Sequence, residues 1–234
     1  MRILAIDTSA TACSVALSEE NKLIAELFMN TGLTHSQTLM PMVEQLLKNA
    51  NTDISQIDII AVNSGPGSFT GVRIGVAAVK GLAFANNTAC ISVSTLYSMA
   101  YNMLGGSCTV CAVMDARCSQ VYNALFKVNG SSVTRMCDDR AMSMADLKTE
   151  LSQIDDKIIL VGDGANVFND FLNSELVNVE TAPINLRYQK ASSTALAALE
   201  QYKSEKTLSA KELMPTYLRL PQAQRELNKK LGVK

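Results

Sequence analysis

The chain has 234 residues, enough for one large domain or two small ones around a sizeable core. A composition of 47% apolar and 18% charged residues, with a mean hydropathy of +0.11, excludes disorder and leaves room for an interface. A formal net charge of −1 and a pI near 5.9 argue against unaided binding of nucleic acid, which needs a basic surface. The opening MRILAID lacks the layout of a secretory signal, and no apolar run reaches the ~18 residues that a membrane span needs. Cys13, Cys90, Cys108, Cys111, Cys118 and Cys137 are scattered, mostly in apolar segments, and read as reduced thiols. The expected location is cytoplasmic, away from membranes.

Residues 2–7 predict a short buried strand ending in Asp7-Thr8-Ser9. Residues 13–18 and 23–29 read as two more strands joined by the turn Glu19-Glu20-Asn21, so an antiparallel meander is expected. Thr34 and Gln37 have the capping-box spacing, and the helix they open covers 35–49 with Leu39, Met42, Val43 and Leu46 as its apolar stripe. Pro41 either bends its first turn or marks its start.

A strand at 58–63 leads into the stretch around which the rest is organised, SGPGSFTGVRIGVAAVKGLAFAN at 64–86. Gly65, Pro66 and Gly67 form a glycine-rich turn, and Thr70 is placed to cap a helix over 70–86. That helix contains Gly71, Gly75 and Gly81, each costing roughly 0.8–1 kcal/mol against alanine, so a compensating contact is expected. Gly71, Gly75, Ala78 and Leu82 share one narrow face, which predicts close packing on a neighbouring helix of this chain or of a partner.

Residues 89–93 predict a strand and 94–104 a short helix ended by Gly105-Gly106, after which the pattern restarts. Strands at 109–115, 120–128 and 132–137 follow, the first ending in Asp115 as the opening strand ends in Asp7, with Asn129-Gly130 as a hairpin turn. A helix at 144–153, a strand at 157–161 and helices at 164–172 and 192–203 complete the set. The expectation is an α/β fold made of a duplicated β-β-β-α-β-α unit. Its subdomains are 1–104 and 105–234, facing each other across a cleft, with the last helix and tail free to pack back on the first.

Several motifs bear on chemistry. The turn at 65–71 admits two readings, an anion cradle at a helix N-terminus or a structural turn before an interface helix. It is no Walker A loop, since no Lys-Ser/Thr follows, and it makes a poor dinucleotide fingerprint. Asp7, Thr8 and Ser9, together with Asp115 and the turn containing Gly162 and Gly164, read as an actin-like nucleotide frame whose phosphate turns are eroded; strand ends and turn caps are the plainer account. One histidine, His35, excludes a His-x-x-x-His metal site and a Ser-His-Asp arrangement, and it reads as a helix-start residue. Cys108 and Cys111 have redox or zinc spacing without a second pair and read as core. Arg219, Arg225, Lys229, Lys230 and Lys234 give the tail a local positive excess, suited to RNA or an acidic partner or simply to a solvated end.

The opening ILAIDTS, the run SGPGSFTGVRIGVAAVKGLA, the segment MDARCSQVYNALF and Pro215-Thr-Tyr-Leu-Arg219 together resemble the TsaB (YeaZ) family over the whole chain. The resemblance implies the actin/Hsp70-like (ASKHA) fold in two subdomains. It also implies a non-catalytic scaffold and activating subunit of the bacterial complex that makes threonylcarbamoyladenosine next to the tRNA anticodon. The partners it implies are a TsaD-like catalytic paralogue, which holds the metal, and a TsaE-like ATPase, with tRNA reached through the complex. The family's pairing surface maps onto the helices at 35–49 and 70–86, and so onto Leu39, Met42, Val43, Leu46, Gly71, Arg73, Gly75, Ala78 and Leu82, with homodimers through the same face when the chain is alone. No cofactor or metal is firmly implied, ATP or ADP entering only within the complex. The rival reading is an autonomous actin-like ATP-dependent kinase or hydrolase using Asp7 and Asp115.

Overall fold

The computed structural model describes residues 1–20, 22–204 and 207–219; the basic tail beyond Arg219 lies outside the described residues. The first half of the chain supplies β1 (Arg2–Asp7), β2 (Cys13–Glu19), β3 (Lys22–Met29), α1 (His35–Asn49), β4 (Ile59–Gly65), α2 (Phe69–Asn86), β5 (Ala89–Ser94) and α3 (Thr95–Ala100). The second half repeats the plan with β6 (Ser107–Asp115), β7 (Gln120–Asn129), β8 (Ser132–Arg135), β9 (Arg140–Ser143), α4 (Met144–Leu151), β10 (Ile158–Val161), α5 (Ala165–Leu172), β11 (Val179–Thr181), α6 (Ile184–Arg187) and α7 (Ala191–Tyr202).

Two sheets result. The first has the order β3-β2-β1-β4-β5, with the meander β1–β3 antiparallel and β1, β4 and β5 parallel. The second has the order β11-β10-β6-β7-β8, with β9 also paired to β7. The central strands are apolar on both faces, as buried parallel strands must be. Along β1, Leu4 and Ile6 face the core under α1 and α2, whereas Ile3 and Ala5 face the opposite layer.

The covering helices are exchanged between halves. α3 follows a strand of the first sheet, yet Leu96, Met99 and Ala100 pack on Val110, Ala112 and Phe126 of the second. α7 follows the second sheet and lays Ala191, Ala195 and Ala198 on Ile3, Ala5, Ala61 and Val93 of the first. Alanines let this helix approach the sheet closely. α3 and α7 also touch each other, so the halves are welded beneath the cleft. Asn102 strengthens the weld, its amide donating to the carbonyls of Leu186 and Tyr188 (2.8 Å each) while accepting from Ser193 (2.5 Å).

Local details differ from the sequence expectation. The Thr34 side chain forms no cap on α1. At α2 the cap is Ser68 rather than Thr70, its hydroxyl accepting from the Gly71 N–H (3.2 Å). Pro41 stays inside α1 without ending it: at the seventh residue it removes one backbone hydrogen bond, a loss offset by the packing of Leu39, Met42, Val43 and Leu46 on the core. The short elements β9, β11 and α6 carry too few residues for a periodic signal and are absent from the sequence reading.

Candidate partner face and interlobe cleft

Gly71 and Gly75 of α2 face their own chain. A β-carbon on Gly71 would strike the Thr8 carbonyl and press on the His35 ring, and one on Gly75 would strike the Thr8 hydroxyl. Thr8 Oγ1 donates to the Gly71 carbonyl (2.7 Å), and Ser68 N–H donates to the Ser9 carbonyl (2.7 Å). The compensating contact for the glycines is therefore the Asp7-Thr8-Ser9 turn at the end of β1. His35 closes the same corner: its Nε2 donates to the Ala10 carbonyl (2.7 Å), while Nδ1 is buried with no partner among the described residues.

Placement of the expected partner residues follows from this. Leu39, Met42, Val43 and Leu46 are buried in the core between α1, α2 and the sheet, and Gly71 and Gly75 are buried against Thr8. Ala78 and Leu82 pack half-buried on that core. Leu39, Met42, Val43 and Leu46 thus lie beneath the molecular surface, and the apolar stripe of α1 is the stripe that binds it to its own sheet. Arg73 alone of the set is exposed.

The outer face of α2 carries Arg73, Ala77, Lys80 and Phe84, spaced four, three and four apart. Phe84 is 82% exposed, and around Gly81 there is open space. The signal was present in the sequence, because α2 has small residues on both faces, but only the fold shows which face the chain uses for itself.

The two expected aspartates are pseudo-equivalent and differently used. Asp7 Oδ1 accepts from the Ser9 N–H (2.7 Å), as Asp115 Oδ1 accepts from the Arg117 N–H (2.7 Å). Asp7 is fully buried, however, with its other oxygen taken by the Asn63 amide; burial holds its carboxyl above the usual range against those hydrogen bonds. Asp7 and Thr8 do not line the cleft. Ser9 and Asp115 do, around a cavity of about 410 Å³ shared with Arg117, Asp163, Tyr217 and Arg219. Gly162 and Gly164 lie behind it, packed on Val113 and on the backbone of Asp115. The two acids are thus unequal across the cleft: Asp115 borders it, and Asp7 is enclosed with both carboxylate oxygens hydrogen-bonded. Asp163 at the cleft is also displaced toward neutrality: burial, with the charges of Asp115 and Asp7 adding to it, pushes it up to about 6 against the Gln189 amide bond (2.9 Å).

A family model described as TsaD, tRNA N6-adenosine threonylcarbamoyltransferase, matches residues 30–227. The tRNA threonylcarbamoyladenosine biosynthesis protein TsaB of Escherichia coli is 32% identical over 222 residues, covering 94% of this chain and 95% of that protein. The chain belongs to the TsaB (YeaZ) family. The solved YeaZ structure from Pseudomonas aeruginosa superposes with a TM-score of 0.77 at 27% identity, over 93% of this chain and 99% of that one. Beyond the family, component A of (R)-2-hydroxyglutaryl-CoA dehydratase from Acidaminococcus fermentans shares the fold (TM-score 0.51, 13% identity, 87% of this chain and 98% of that one). The fold is the actin-like ASKHA duplication, and in this TsaB-family chain the two strand-end acids keep their backbone turns while the first is withdrawn from the cleft.

Proposed function

We propose that this chain acts in threonylcarbamoyladenosine biosynthesis on tRNA as a cytoplasmic, non-catalytic scaffold and activating subunit. It docks a TsaD-like catalytic paralogue through the outer face of α2. The TsaE-like ATPase and tRNA meet the assembly rather than this chain alone. The observation that carries the reading is the contrast between the two sites. The acid at the end of β1 is buried with both oxygens hydrogen-bonded, whereas α2 exposes Phe84 beside Ala77 and Gly81 with nothing among the described residues covering them. No helix among the described residues is long and apolar enough to cross a membrane.

The test is light scattering after size exclusion of the chain mixed with its cognate TsaD-like paralogue, as wild type, Ala77→Gln and Phe84→Ser. Both substitutions sit on the surface and leave the core intact. Wild type is expected to form a one-to-one complex that both variants weaken. A wild-type chain that ignores the paralogue would end the reading.

A further inference from the structure

We infer that residues 214–219 and the outer face of α2 form one docking surface, and that its partner presents apolar side chains together with a carboxylate. The inference rests on the proposal that α2 is the partner face.

The C-terminal segment returns to the first sheet after α7. Leu208 pairs with Cys90 through two backbone bonds of 2.8 Å, Leu213 is fully buried in the α1–α2 core, and the Thr216 N–H donates to the Ser64 carbonyl (2.7 Å). The segment then lies along α2. Tyr217 packs on Phe69 (centroids 4.9 Å apart) and accepts from Arg73 Nε (2.7 Å), and three residues earlier the Met214 sulfur lies 3.8 Å from Lys80 Nζ. Three extended residues reach about 10 Å. The helical rise from Arg73 to Lys80 is also about 10 Å. The segment therefore runs antiparallel to α2 in extended form, and the two elements make a single face.

That face exposes Phe84 (82%), Met214 (62%) and Tyr217 (40%) around the low floor at Ala77 and Gly81. Its charge has one sign. α2 contains Arg73 and Lys80 and no acidic residue, and among the described residues neither cation is in an ion pair. The Arg73 guanidinium is laid over the Phe69 ring at 3.7 Å and held by Tyr217, so its orientation is set before a partner arrives. A carboxylate complements this arrangement. A second copy of the chain does not, because a two-fold contact would bring the cations of both copies to one seam.

Calorimetric titration of the full chain with its TsaD-like paralogue at low and high salt tests this, using wild type, Lys80→Glu, Met214→Ser and Phe84→Ser, each checked for unchanged thermal unfolding. Wild-type affinity should fall as salt rises. Lys80→Glu should weaken binding about tenfold or more and flatten that salt dependence. Met214→Ser should also weaken binding, since it removes apolar contact from the segment alone. If Phe84→Ser weakens binding while Lys80→Glu and Met214→Ser bind as wild type, the α2 face stands and this inference is overturned. If all three bind as wild type, both fall. Self-association that rises in Lys80→Glu, with paralogue binding unchanged, would assign the surface to a second copy and overturn the inference.

Discussion

Replacing Asp163 by asparagine should reshape the pH dependence of stability. In the folded chain this carboxyl titrates at about 6; unfolded, it titrates near 3.8. The folded state therefore holds the proton more tightly. Its contribution to stability is complete below pH ~4 and is lost as pH rises through about 6. A displacement from 3.8 to about 6 corresponds to at most about 3 kcal/mol at neutral pH, at 1.36 kcal/mol per pH unit. Because the side chain still borders the cleft, solvent screening reduces the expected figure to about 1–2 kcal/mol. Asparagine keeps the shape and can still accept from Gln189, but it carries no charge to repel Asp115 and Asp7. Urea unfolding of wild type and Asp163→Asn, followed from acidic to neutral pH, reads the effect directly. The variant should gain on wild type as pH rises. A difference between the two that is constant across that range would refute the reasoning, because it would mean that Asp163 ionises in the folded chain as it does in the unfolded one.

Two glycines of one helix should respond in opposite directions to the same change. Gly71→Ala drives a methyl group into the Thr8 carbonyl, which cannot rotate away, and should lower stability by about 1–3 kcal/mol. Gly81→Ala meets open space and should raise stability by about 0.5–1 kcal/mol through helix propensity. Equal effects in a denaturant titration would mean that the seam between α2 and the β1 turn is not the tight contact described. Leu46→Ala should cost about 2–5 kcal/mol in the same assay, as a core truncation; a cost near zero would return Leu46 to the surface.

Much of the fold was legible because its physical signals are local and repeated. Alternation and turn residues gave the meander. The return of an aspartate at the end of a strand, Asp7 and then Asp115, exposed the duplication, and the structure gives both acids the same backbone bond. The site was harder to read because helical periodicity is blind to what stands opposite a face. On α2 the stripe Gly71, Gly75, Ala78, Leu82 and the outer face, with Ala77 and Gly81, both carry small residues. The first is filled by a turn sixty-odd residues away in sequence, which no local pattern records. The stripe Leu39, Met42, Val43, Leu46 is what any sheet-covering helix needs, and nothing within it distinguishes a core from an interface. The return of α7 to the first sheet was anticipated in the sequence, but the packing of α3 on the second sheet, the antiparallel run of residues 214–217 beside α2 and the raised Asp163 are likewise products of long-range packing.

On the reading proposed above, this chain acts through the surface of α2 and not through chemistry in its cleft. Reconstituted threonylcarbamoylation of tRNA by the TsaD-like paralogue and the TsaE-like ATPase tests it most directly, run without this chain, with wild type, with Phe84→Ser and with Asp115→Asn. The prediction is that activity requires the chain, falls with Phe84→Ser in step with loss of the complex, and survives Asp115→Asn. Activity abolished by Asp115→Asn in an intact complex, or undiminished by Phe84→Ser, would contradict it.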